Sequence, residues 1–262
     1  MPLSLLRHGL RKNKARHHQF SDNPDLKKHY DVVIIGAGGH GLATAYYLAS
    51  QHGITNVAVL EKSYLGSGNT ARNTAVIRSN YLTEDGVSFY RESLKLYKNL
   101  SNEFDYNIMY EERGQLTLAH NDAAVRSFRW RAEVNQHLGV RSELVDRQGI
   151  AELVPQLNLD EDVRYPIVAG LWHADGATAR HDAVAWGYAR GACARGVELH
   201  QLTEVTGIGM SNGRVDTVRT TRGDISCGCV VQAVAGNSSL VAAMAGIKLP
   251  IHSYPLQAMV TQ

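Results

Sequence analysis

The stretch Gly36-Ala37-Gly38-Gly39-His40-Gly41 satisfies G-x-G-x-x-G, directly after an apolar run and directly before a helical pattern. Gly36 permits a tight turn, Gly38 lets a pyrophosphate approach the main chain, and Gly41 lets the following helix pack closely on the strand. The anion then lies on a helix N-terminus, where unpaired N–H groups and the helix dipole favour negative charge. Glu61 closes the next apolar run twenty-five residues after Gly36. A carboxylate at that distance accepts hydrogen bonds from adenosine ribose hydroxyls and disfavours a 2′-phosphate, so NADP is not expected. These features predict a dinucleotide site and leave NAD and FAD both open.

Other side chains with chemical potential are scattered. A polar loop from Lys62 to Arg78 carries two arginines, Arg72 and Arg78. Such cations are ordinarily solvated, but a guanidinium also suits bidentate recognition of a carboxylate. His173 and His181 precede a helical stretch whose expected N-cap is Asp182. Cys193, Cys227 and Cys229 are too few and too irregularly spaced for a disulfide framework or a four-ligand zinc site, so no metal is expected. Cys227-Gly-Cys229 reads as strand packing, and Glu111-Glu112 as a solvated pair.

The elements that must position these residues follow from periodicity. Asp31–Ile35 and Asn56–Leu60 read as strands buried on both faces of a parallel sheet, joined by a helix with Leu42, Ala45, Tyr46 and Ala49 on its inner face, up to Gly53. This is a βαβ unit. Further helices are expected over 84–104, from Asn121 with Val125, Phe128 and Ala132 inward, and from Asp182 to Gly196. Strands are expected over 115–119, 197–202, 214–221 and 230–235, with turns at Asn212-Gly213 and Arg222-Gly223. The last strand leads into Gly236 and a small-residue helix. The expected fold class is α/β, a Rossmann-like FAD-binding domain interleaved with a β-sheet substrate domain of α+β character.

Composition bounds the rest. The 262 residues are 44% hydrophobic and 20% charged, a globular profile that excludes collagen-like, disordered and coiled-coil chains. No apolar run approaches the roughly 20 residues needed to cross a bilayer, so no membrane partner is expected. The net charge of +2 is uneven: residues 1–30 hold seven Lys/Arg and two Asp, leaving twenty basic and twenty-three acidic residues elsewhere. A mildly acidic globule argues against nucleic acid as partner. The basic arm, residues 1–29, reads either as a mitochondrial transit peptide or as a solvated or subunit-contact tail, and fold reasoning begins at Tyr30. Cysteine usage suits a reducing, cytoplasmic compartment. Met259-Val-Thr-Gln262 reads as the middle of a strand, so the protein is expected to continue beyond it.

The loop after Glu61 separates the two cofactors. Lys62-Ser-Tyr-Leu-Gly-Ser-Gly-Asn-Thr-Ala-Arg-Asn-Thr-Ala-Val-Ile-Arg78, together with Gln232-Ala-Val-Ala-Gly-Asn-Ser238, resembles the FAD-dependent amine oxidases of the D-amino-acid oxidase superfamily. Within it, Tyr30–Ala45, Gly53–Lys62, Asn73–Tyr81 and Ala179–Trp186 are similar to the β-subunit family of heterotetrameric sarcosine oxidases. That resemblance implies noncovalent FAD, covalent FMN on a histidine, and oxidative demethylation of sarcosine to glycine. Electrons would pass from FAD to FMN to O2, giving hydrogen peroxide with formaldehyde or methylene-tetrahydrofolate. It implies tetrahydrofolate and O2 as co-substrates, a larger α subunit and smaller γ and δ subunits. It places an oxygen-activating lysine beyond residue 262.

The residues carried over are these. Counting back from Asp182-Ala-Val-Ala-Trp186 puts FMN attachment on His181 rather than His173, with Arg180 as the cation beside the flavin. The family's Ile-Arg pair followed by Tyr falls on Ile77-Arg78 with Tyr81, which makes Arg78 the catalytic-site clamp for the substrate carboxylate. A second family arginine, three residues earlier, is Ala75 here. The expected cofactor-binding set is Gly36, Gly38, Gly39, His40, Gly41, Glu61, Lys62, Arg72, Asn73, Val205, Gly236, Arg180 and His181. The FAD-binding domain is expected at 30–81 and 176–246, the substrate domain at 82–175 and 247–262. A related subunit acting on proline, opines or dimethylglycine, or an inactive truncated chain, are the competing readings.

Overall fold

The computed structural model describes residues 23–257, so most of the basic arm and the expected strand at 259–262 lie outside the described residues. In chain order the regular elements are β1 (His29–Ile35), α1 (Gly39–His52), β2 (Val57–Leu60), β3 (Val76–Ile77), α2 (Glu84–Glu103), β4 (Glu111–Glu112), β5 (Gln115–Ala119), α3 (Asp122–His137), β6 (Ser142–Val145), α4 (Arg147–Leu153), β7 (Ala169–His173), β8 (Ala177–Thr178), α5 (His181–Cys193), β9 (Glu198–His200), β10 (Val205–Ser211), β11 (Arg214–Thr220), β12 (Gly223–Gln232) and α6 (Ser238–Met244). Short 3-10 turns occupy Asn69–Ala71 and Ala235–Asn237.

The main sheet has six strands in the order β10-β11-β12-β1-β2-β9. β12, β1, β2 and β9 run parallel, and β10 and β11 extend the β12 edge antiparallel. Every residue of β2 is buried, as a strand covered on both faces should be. On one face Val32, Ile34, Val57 and Val59 meet Leu42, Tyr46, Tyr188 and Phe104 from α1, α5 and the end of α2. On the other, Val33, Ile35, Ala58 and Leu60 meet Val205, Ile208, Val218, Ile225 and Val241. Two three-stranded sheets, β3-β8-β4 and β5-β7-β6, use the chain from 76 to 178. Thr83, Asn121 and Asp146 each cap a helix by accepting from a backbone amide three residues on.

Several expectations are corrected. β12 begins at Gly223 and ends at Gln232 rather than covering 230–235, because the Arg222-Gly223 turn hands a long antiparallel strand straight into the parallel pairing with β1. α5 begins at His181 with Arg180 in the N-cap position, so Asp182 is a first-turn acid that accepts from the Ala183 amide at 2.8 Å. The globule also starts before Tyr30. Arg222 donates to Asn23 Oδ1 and the Pro24 carbonyl, each at 3.0 Å, and Lys27 lies 2.7 Å from Glu198.

Candidate functional site

The carboxyl ends of β1, β2 and β12 open into one cleft of about 940 Å³, bounded by the start of α1, the loop after Glu61 and the segment from Ala233 to Met244. Ligands of open α/β sheets bind outside such strand ends. Gly36, Gly38, Gly39, His40, Glu61, Lys62, Arg72, Val205 and Gly236 all line it. Gly36 has φ +105°, and a Cβ there would stand 2.5 Å from the Ala233 carbonyl oxygen. Gly41 is not among the lining residues, but a Cβ there would collide with the Gly36 carbonyl oxygen.

The start of α1 is poised for an anion. Its N-cap is Gly38, which offers no side chain to cap it, and no acid occupies its first turn. Its amide donors thus keep the partial positive charge of an unneutralised helix end. Thr70, which the sequence reading did not single out, accepts from the Gly39 amide at 2.9 Å and ties the polar loop to the glycine turn. Its signal was only its place in that loop. Glu61 Oε2 accepts from the Ala37 amide and Oε1 from the Ser63 amide, both at 3.0 Å. The carboxylate therefore stands at the cleft wall beside the turn, where ribose hydroxyls of a dinucleotide would meet it. The glycine cradle, the acid-free helix start and Glu61 fit the adenosine and pyrophosphate of FAD.

Arg72 and Asn73 shape the loop. Arg72 donates to the Ser67 carbonyl at 2.5 Å and to that of Gly68 at 3.2 Å. Asn73 donates to the Thr70 carbonyl at 2.5 Å and accepts from the Ala75 amide at 2.7 Å, beside the Ala75 backbone at φ +60°. Asn73, Arg78, Arg180 and His181 are not among the residues lining the cleft.

The two histidines differ in how they are used. His173 is fully buried; its Nδ1 faces the Arg141 carbonyl oxygen at 3.1 Å, and its Nε2 accepts from the Ser79 amide at 3.2 Å. His181 Nδ1 is enclosed and has no hydrogen-bond partner among the described residues. Beside it, Arg180 is held by Asp182 through Nε at 2.9 Å and Nη2 at 2.5 Å. That pair keeps the Asp182 carboxyl below the usual range.

Burial pushes both His173 and His200 below their ordinary value of 6.5. The unfolded chain takes up these protons near 6.5 while the folded chain resists them, so their contribution to stability is intact above that pH and is lost as pH falls below it. Urea midpoints are expected to fall between pH 7.5 and 5.5, and His173→Gln should flatten that slope. An equal slope in the variant would remove His173 as a cause.

Residues 31–262 match the model of the family described as FAD dependent oxidoreductase. The chain is 52% identical over 260 residues to a sarcosine oxidase subunit beta of Rhizobium meliloti (strain 1021), covering 99% of this chain and 62% of that one. It is 49% identical to the corresponding subunit of Arthrobacter sp, covering 92% and 59%. It thus spans about three fifths of the length of these relatives. Among solved structures, an L-proline dehydrogenase from P. horikoshii superposes with a TM-score of 0.77 at 31% identity, over 85% of this chain and 57% of that one.

Proposed function

This chain belongs to the FAD-dependent oxidoreductase family, and from that premise we propose that it works as the β subunit of a heterotetrameric sarcosine oxidase in the cytoplasm. The near-whole-chain identity with sarcosine oxidase beta subunits carries the reading. Residues 30–81 and 176–246 form its FAD-binding domain, and 82–175 with 247–262 belong to its substrate domain. Its partners are the α, γ and δ subunits, with tetrahydrofolate and O2 reaching the complex.

The cleft would hold FAD, which would supply a hydride acceptor for the N-methyl carbon of sarcosine, and His181 would hold FMN covalently, which would supply onward electron transfer to O2. This chain's own groups bind and orient. The α1 N-terminus holds the pyrophosphate and Glu61 the ribose. Arg78 clamps the substrate carboxylate, fixing the methyl carbon for reaction, and leaves the amine to bind as the free base. His181 supplies a ring nitrogen to the flavin, with the Arg180–Asp182 pair at its side.

A proline-type substrate is the second reading, favoured by the likeness to an L-proline dehydrogenase. Glycine release from sarcosine by the full-length protein, set against turnover of proline and dimethylglycine, separates the two. Sarcosine is expected to be turned over fastest, and a preference for either other amine would replace the proposal.

A further inference from the structure

The segment from Arg78 to Tyr81 is held by polar groups on every side. Ser79 and Asn80 are buried. His173 receives the Ser79 amide at 3.2 Å, and Asn135 Nδ2 donates to the Tyr81 carbonyl at 2.6 Å. Asn80 joins two cations. Its side-chain Oδ1 accepts from Arg78 Nη1 at 2.9 Å, while its backbone oxygen accepts from Arg131 Nε at 3.0 Å and Nη2 at 2.6 Å. The Arg78 guanidinium lies 4.4 Å from the Tyr81 ring centre, and that ring stacks on Tyr90 at 3.8 Å. Among the described residues neither guanidinium forms an ion pair.

Two neighbouring, half-buried guanidiniums repel, and burial and then Arg78 hold Arg131 below the usual arginine range. A carboxylate from the protein would relieve that repulsion; a neutral asparagine stands in its place. It holds both arginines in position without cancelling either charge, leaving the positive potential for an external anion.

We propose that Arg131 is a positioning residue that, through Asn80, aims Arg78 and makes the carboxylate site a two-guanidinium site. This rests on the reading of Arg78 as the carboxylate clamp. Arg131 sets the Asn80 peptide, the Asn80 side chain sets Arg78, and the combined charge selects a small carboxylate over its uncharged isostere.

The test uses the full-length, flavin-loaded protein in its complex, titrated with acetate and with uncharged acetamide while the visible flavin spectrum is followed. Arg131→Gln is expected to raise the acetate Kd about tenfold, the size of one charge-assisted contact, without changing flavin content or the acetamide response. Asn80→Asp keeps the acceptor for Arg78 but places a competing carboxylate between the arginines, and should weaken acetate at least as much. Mere scaffolding would leave Asn80→Asp with wild-type acetate affinity, and that result overturns the proposal even if Arg131→Gln fails to hold flavin. Arg78→Lys is the separate control: if it leaves acetate binding unchanged, the clamp reading itself fails.

Discussion

Gly41→Ala is expected to yield protein without bound FAD. A Cβ at this position drives into the carbonyl oxygen of Gly36, which is backbone and cannot swing aside as a side chain would. Gly36 is itself confined: it sits at φ +105°, and its own Cβ position abuts the Ala233 carbonyl. The collision can be relieved only by lifting α1 from β1, which moves the start of α1 away from the place where a pyrophosphate would sit. Overpacking of this kind destabilises by about 1–3 kcal/mol, and α1 contributes Leu42, Ala45 and Tyr46 to the core, so the melting temperature should fall as well. Absorbance at flavin wavelengths per mole of purified protein reads the main effect. Wild-type flavin content in Gly41→Ala would show that the turn does not hold the cofactor.

His181→Ala is expected to remove all covalently attached flavin and leave acid-releasable FAD in place. A buried polar atom without a partner is uncommon in a folded protein, and among the described residues His181 Nδ1 is one. The imidazole is not committed to holding the fold on that side, whereas both nitrogens of His173 are. His181 lies off the dinucleotide cleft, as an attachment point for a second flavin would. Acid precipitation followed by spectroscopy of pellet and supernatant separates the two pools, and peptide mass mapping of the wild-type pellet should place the flavin on His181. A flavin mapped to His173 would reverse the assignment.

The βαβ unit could be read from residues because its signals are local. The glycine turn, the apolar runs of β1 and β2 and the acid at Glu61 each act within a few residues of where they stand, and the cleft gathers nine of the thirteen expected cofactor-site residues. β3, β4 and β8 left no such trace: each is two residues long and exists only through pairing of chain segments far apart in sequence. The start of β12 is hidden in the sequence because its first residues pair antiparallel with β11 and alternate exposed and buried, with Ile225 and Cys227 inward, and only its second half, ending in Val230-Val231, reads as an apolar parallel strand. Thr70 and Arg131 carry no local signal for a related reason. Their importance lies in tertiary hydrogen bonds to Gly39 and Asn80, thirty-one and fifty-one residues away, and a polar side chain in a loop or on a helix does not announce such a partner.

Sarcosine is expected to deliver electrons to flavin held by this chain. Anaerobic titration of the full-length, flavin-loaded protein with sarcosine, followed by the bleaching of flavin absorbance, tests it most directly. The expected result is stoichiometric bleaching by sarcosine, far slower bleaching by proline and dimethylglycine, and a sarcosine rate sharply lowered in Arg78→Lys. Flavin that stays oxidised with sarcosine but bleaches promptly with proline or another amine would contradict the account.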